Sequence, residues 1–202
     1  MCFKNGAVIS KWNPWRLPAN SVTPCQTKWQ ELTAHKEKNI AAAIELFAPS
    51  CECESHSISK YSIGPVDDDE VVYRLVTSPL DIIEGANTLN AGISRDLTFH
   101  GISTRRARAE EELHNEMVRF GKGLAKDLQK GQFYGYVRTK VSDIRALRDT
   151  TGLSRPCVYD DALCHDRRHA AIMMHARKAK KKEMELKVFK LFEKGFTRIG
   201  PK

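Results

Sequence analysis

No stretch of the 202-residue chain approaches the roughly 18 consecutive apolar residues that cross a membrane as a helix. Its start, MCFKNGAVISKWNPWR, also lacks the uninterrupted apolar block of a secretory signal. A cytoplasmic protein with no membrane partner is therefore expected. Neither common glycine-rich phosphate loop is present, and no segment repeats at a solenoid period. Cysteine is scattered, as Cys2, Cys25, Cys51, Cys53, Cys157 and Cys164, and no export signal accompanies it, so reduced thiols are expected. Structural zinc needs paired ligands at close spacing to complete a tetrahedron. CECESH offers Cys51, Cys53 and His56, and CHDRRH with MMH offers Cys164, His165, His169 and His175. Neither supplies two closed arms, although His165 and His169 would share one side of a helix, and no metal is expected.

What the chain has in excess is positive charge: 33 Lys and Arg against 25 Asp and Glu, a formal net of +8. Such a field attracts phosphate-bearing partners without specifying a fold. With 41% hydrophobic residues, the length suits one domain with a full core plus an extension.

Composition divides the chain near residue 65. Residues 1–65 hold all three tryptophans, Trp12, Trp15 and Trp29, with Pro14, Pro18 and Pro24 interrupting any regular element between Lys11 and Cys25. A helix is expected over Thr27–Phe47, followed by a Ser-rich and then acidic linker. Residues 66–202 have the texture of a single α+β domain. VVYRLV reads as a strand, 79–92 as a short helix or turn, and LTFHGIST as a second strand running directly into a long amphipathic helix. QFYGYVRTKV reads as a third strand with one wet face, and SDIRALRDTTG as a helical turn with Ser142 in the N-cap position. A short strand is expected at Cys157–Tyr159, with either a helix or a strand at Ala170–Met174. Residues 177–194 form a basic helix.

The stretch that needs an explanation is VVYRLVTS, where Arg74 interrupts the most strand-like run of the first half of the chain. About thirty residues later GISTRRA stands at a strand end. Tyr73 and Arg74 as an aromatic-Arg pair, Ser78 and Pro79 as the turn after it, and Ser103 and Thr104 as a serine-threonine element together resemble the ADP-ribosyltransferase superfamily, in the branch of toxins with an arginine, a serine-threonine element and a glutamate. The resemblance covers residues 70–175. It departs from the family at Arg105, in the third place of the serine-threonine element, and in the late strand, since residues 157–175 contain no glutamate.

The resemblance implies an ADP-ribosyltransferase-like fold that takes NAD as substrate and transfers or hydrolyses its ADP-ribose, as a toxin or defence component would. Arg74 would hold the pyrophosphate through its planar guanidinium, and Ser103 and Thr104 would wall the nicotinamide ribose. A carboxylate or its substitute would act at the bond being broken. Asp160, Asp161 and Asp166 lie in the right region without matching the motif. Candidates for the last role are therefore His169, at the head of AAIMM, and Glu111, flanked by Glu110 and Glu112, by analogy with the RES-type NAD-degrading branch. Each has a plainer reading: Arg74 as an outward residue of an edge strand, Ser103 as the cap of the long helix, Glu111 as solvated surface, His169 as a surface or satisfied core histidine.

Two other functions fit the composition. The basic C-terminal helix, with Arg177, Lys178, Lys180, Lys181 and Lys182, would suit a nucleic-acid backbone. The tryptophan-bearing arm would suit a protein partner.

Overall fold

The structure, a computed structural model, describes residues 61–83, 85–98, 100–108, 113–127, 131–152, 155–174 and 181–199, with Thr27, Glu31, Glu54 and Ser59. Its centre is a six-stranded sheet, entirely antiparallel, ordered β6-β7-β4-β1-β5-β8. β1 (Glu70–Ser78) lies between β4 (Ile102–Arg108) and β5 (Gln132–Lys140). β7 (His169–Met174) continues the sheet beyond β4, with β6 (Pro156–Tyr159) at one edge and β8 (Phe196–Arg198) at the other. An arginine in β1 is thus in a central strand, which removes the edge-strand reading of Arg74.

Both faces of the sheet are covered, so its middle strands are apolar on both sides rather than alternating. On one face Val72, Val76, Ile102, Val137, Ala170 and Ile172 form the main core. Against them pack Val141 and Ile144 of α2 (Val141–Ala146), Met184, Val188 and Phe192 of α3 (Lys181–Lys194), and Ile93 and Leu97 of a 3-10 segment, Ala91–Thr98. On the other face Val71, Tyr73, Ala107 and Tyr136 meet Leu113 and Met117 at the start of α1 (His114–Asp127). The expected α+β class is observed, as are β1, β5, β6 and a strand at 169–174.

Several boundaries differ from the sequence expectations. The described residues of 79–92 contain no α-helix but a small hairpin, β2 (Ile82–Ile83) with β3 (Thr88–Leu89), because Asp81 ties the chain back by accepting from the Thr77 amide and hydroxyl. Leu97 and Thr98 belong to the 3-10 segment, and the strand of GIST continues through Arg108. Ser103 is consequently a mid-strand residue and caps no helix. The ladder to β1 and β7 holds the charged run RRAR extended, overriding its helical propensity. Helix α2 starts from Lys140 without a side-chain cap, so Ser142 is not its N-cap. In β5 burial covers both faces from Phe133 to Val137, and only Gln132, Arg138 and Lys140 are exposed. Cys164 is disulfide-bonded, contrary to the expectation of reduced thiols. Cys157 is free, and burial, reinforced by Glu54, pushes its thiol up to about 12, leaving it protonated and unreactive. Most of the helix expected over 27–47, and the tryptophan arm, lie outside the described residues.

Arg106 holds β4 in place. Although 4% exposed, its guanidinium engages both oxygens of Glu70, with Nε to Oε2 at 2.7 Å. It also donates to the Gly64 and Pro65 carbonyls and lies 3.7 Å from Asp160. Glu54 plays a similar part on the other side of the chain, accepting from Arg145, Arg155 and the Val158 amide at 2.6, 2.6 and 2.9 Å. Burial alone would raise the pKa of Glu54; these donors hold it below the usual carboxylate range. Removing one member of a buried pair strands the other, which costs about 3–5 kcal/mol, whereas an apolar pair of similar volume is close to neutral. Arg106→Ala is therefore expected to lower unfolding free energy by about that amount in urea titration, and the double replacement of Arg106 and Glu70 by Leu to restore most of it.

Candidate functional site

The ladder between β1 and β4 runs from Glu70 opposite Arg108 to Tyr73 opposite Arg105 and stops there. β1 continues along β5 while β4 continues along β7, which pairs it from Arg105 opposite His169 to Ile102 opposite Ile172. Where β1 and β4 part, Arg74 reaches across and donates from Nη1 to the Ser103 carbonyl at 3.2 Å. Its guanidinium thus replaces a missing ladder partner. Among the described residues, Arg74 Nε is the only buried side-chain polar atom with no hydrogen-bond partner. Leaving such a donor unsatisfied costs about 1–3 kcal/mol, a debt that an anionic or carbonyl oxygen entering the gap would relieve.

The pleat places Ser103 and His169 on the same face of adjacent strands, one step diagonal to each other. Ser103 is exposed, and its Oγ lies 2.7 Å from His169 Nε2. The other ring nitrogen, Nδ1, lies 2.6 Å from Asp161 Oδ1, in the loop between β6 and β7. An ionised carboxylate can only accept, so Nδ1 carries a proton and Nε2 is the end of the ring that exchanges one with Ser103. Both His169 and Asp161 side chains retain 17% exposure, which leaves the relay reachable from solvent. Burial pulls His169 toward its neutral form. The hydrogen bond and charge of Asp161, with the charge of Asp166 behind it, outweigh burial and raise the imidazole pKa above its ordinary value.

The loop that carries Asp161 is pinned from several directions. Asp160 accepts from Ser62, Ser59 donates to the Ala162 carbonyl, and Asp166 receives Arg105 Nε at 3.1 Å. Arg105 also meets Glu116 of α1 at 3.2 Å, and its guanidinium lies 4.1 Å from the centre of the Phe120 ring. The residue that breaks the family's serine-threonine pattern is thereby fully occupied as a strut between β4, α1 and the loop.

Of the residues singled out in the sequence, the side chains of Ser103 and His169 meet, while Arg74 stands on the face of Val72 and Val76, opposite Val137, and reaches only the Ser103 backbone carbonyl. Thr104 does not meet them: it is 3% exposed on the face opposite Ser103, donating to the Ala170 carbonyl at 2.8 Å. Glu111 lies outside the described residues, as do Glu110 and Glu112. His165 is in the loop and His169 in a strand, so the pair does not share a helix. Asp161 was visible only as one of several carboxylates. The signal that could have selected it was its place eight residues before His169, the reach of a hairpin loop. Comparison of the chain with protein-family models, with curated proteins and with solved structures finds no match.

A raised folded pKa means that the His169–Asp161 interaction contributes fully below the unfolded histidine value of about 6.5 and is lost as pH rises through the folded value. Asp161→Asn is expected to move the His169 titration, followed by NMR, to lower pH. The stability gap between wild type and variant should be widest in mild acid and close as pH rises through that titration; a gap that widens with pH would contradict the assignment.

Proposed function

We propose that the gap between β1 and β4 binds NAD and that the protein cleaves the bond between nicotinamide and ribose, delivering ADP-ribose to water or to an acceptor, on an ADP-ribosyltransferase-like fold. The observation that carries this reading is the unpartnered Nε of Arg74, whose guanidinium is held on the Ser103 carbonyl where β1 and β4 part, next to the strand that brings Ser103 to His169. Arg74 takes the pyrophosphate, for which a planar, unscreened guanidinium with a spare donor is well suited. Ser103 holds the wall of the nicotinamide ribose. His169, oriented by Asp161, occupies the place in which the family uses a glutamate and hydrogen-bonds the ribose as positive charge develops beside it. The order of elements also supports the reading: an arginine strand, a serine-threonine strand, a helix, an aromatic strand and a late strand carrying the third group.

Calorimetry with NAD, accompanied by an assay for released nicotinamide, tests it. Arg74→Gln, shown by circular dichroism to be folded, is expected to weaken binding about 10- to 100-fold, the usual worth of a charge-assisted contact. An absence of binding to the wild-type protein would overturn the proposal.

One observation favours a second reading, association with a nucleic-acid backbone. A cleft between α2 and α3 is rimmed by Arg148, Lys187, Lys190 and Lys194 over Leu191. Part of this charge is answered internally, since Lys187 contacts Glu183 at 2.7 Å and Lys181 lies 3.8 Å from Glu185. Lys181 and Lys182 stand at the start of α3, and Arg177, Lys178 and Lys180 lie outside the described residues. Affinity for single- or double-stranded DNA that falls steeply with salt, and that neutralising Lys190 and Lys194 flattens, is the expected outcome of this reading; a flat salt dependence excludes it.

A further inference from the structure

The hydrogen-bonded series Ser103–His169–Asp161 has a chemical capacity that does not depend on a dinucleotide. We propose that Ser103 is an activated nucleophile and that the protein hydrolyses small carboxylic esters through an acyl-serine intermediate. Three features of the geometry support this. Ser103 Oγ is exposed and 2.7 Å from the imidazole nitrogen that can accept its proton. The opposite nitrogen is fixed by a carboxylate at 2.6 Å, which selects the reactive tautomer and stabilises the imidazolium once formed. The Arg74 guanidinium donates to the backbone carbonyl of the same serine from the other face of the sheet, which fixes the strand that carries the nucleophile.

The steps balance within the site. Ser103 Oγ bonds to the carbonyl carbon while its proton passes to His169 Nε2. The carbon–oxygen bond to the leaving alcohol then breaks, and the alcoholate takes that proton. Water attacks the acyl-serine, gives its proton to His169, and releases the carboxylic acid as Ser103 recovers its hydrogen. Ser103 and His169 are the catalytic pair, and Asp161 is a positioning residue. Asp166 and Arg105 complete the charged groups around the imidazole: Asp166 reinforces Asp161, and Arg105, the cross-strand partner of His169, is turned toward Asp166 and Glu116.

The test is covalent labelling of the full chain by a fluorophosphonate, read by peptide mass spectrometry, alongside hydrolysis of p-nitrophenyl acetate. Labelling is expected at Ser103, with a rate that rises with pH as His169 loses its proton. His169→Gln should slow it by about 100-fold or more, the lower range for a general base. Asp161→Asn should slow it about 10-fold and move the midpoint of the pH profile to lower pH, which a merely structural aspartate would not do. Absence of label on Ser103 in the folded wild-type protein, or an unchanged labelling rate in His169→Gln, would overturn the proposal. Neither result bears on NAD binding by calorimetry, so the two readings stand or fall separately. If His169→Gln fails to fold, the wild-type labelling site together with the Asp161→Asn pH profile decides the matter.

Discussion

A buried arginine must be answered on every side, and Arg106 is the residue whose demands organise this domain. Glu70 of β1 supplies the counter-charge, the 64–65 turn supplies two carbonyls, and Asp160 closes the remaining side. These partners come from three separate stretches of chain, so the register of β4 against β1 and the approach of the β6–β7 loop are set together. Everything of chemical interest follows at short range. Ser103 lies three residues from Arg106 along β4, and Asp161 lies next to Asp160 along the loop. The ion pair fixes both ends of the relay while standing apart from it.

The second constraint is the parting of β1 from β4. A sheet that forks must leave backbone groups without ladder partners, and such groups are costly when buried. Here a side chain fills the role, with Arg74 bonding to the carbonyl that β1 no longer reaches. This gives a physical reason for a cation in the middle of an apolar central strand. The unsatisfied Nε is what distinguishes a structural arginine that is finished from one with capacity to spare.

The class of the fold was legible because the strand signals were strong. VVYRLV and QFYGYV carry enough β-branched and aromatic residues to resist other assignments, and AAIMM became a strand once β4 and β6 stood on either side of it. What could not be read was the fate of RRAR. Locally it has the composition of a helix start, and only the ladder on both sides keeps it extended, a tertiary effect with no trace in the segment itself. That single error moved Ser103 from mid-strand to helix cap. Three residues of the candidate site could nonetheless be singled out in the sequence, Arg74 from its place in an apolar strand, Ser103 from its motif and His169 from its position heading the last apolar run. Asp161 was not, because three aspartates within seven residues differ only in which direction the loop turns them. Thr104 was misassigned because adjacent strand residues face opposite sides of the sheet, and a motif read as a pair cannot have both members at one surface.

Two members of the relay belong to the hairpin of β6 and β7, while the third belongs to β4. That hairpin ends the sheet: β6 has no further neighbour among the described strands. Native proteins open locally, in cooperative units, at free energies below that of global unfolding. Assembly of the relay and closure of this margin are then one event. A local opening there would carry the imidazole and its carboxylate away from Ser103 as a unit, while the paired strands at the centre remained intact.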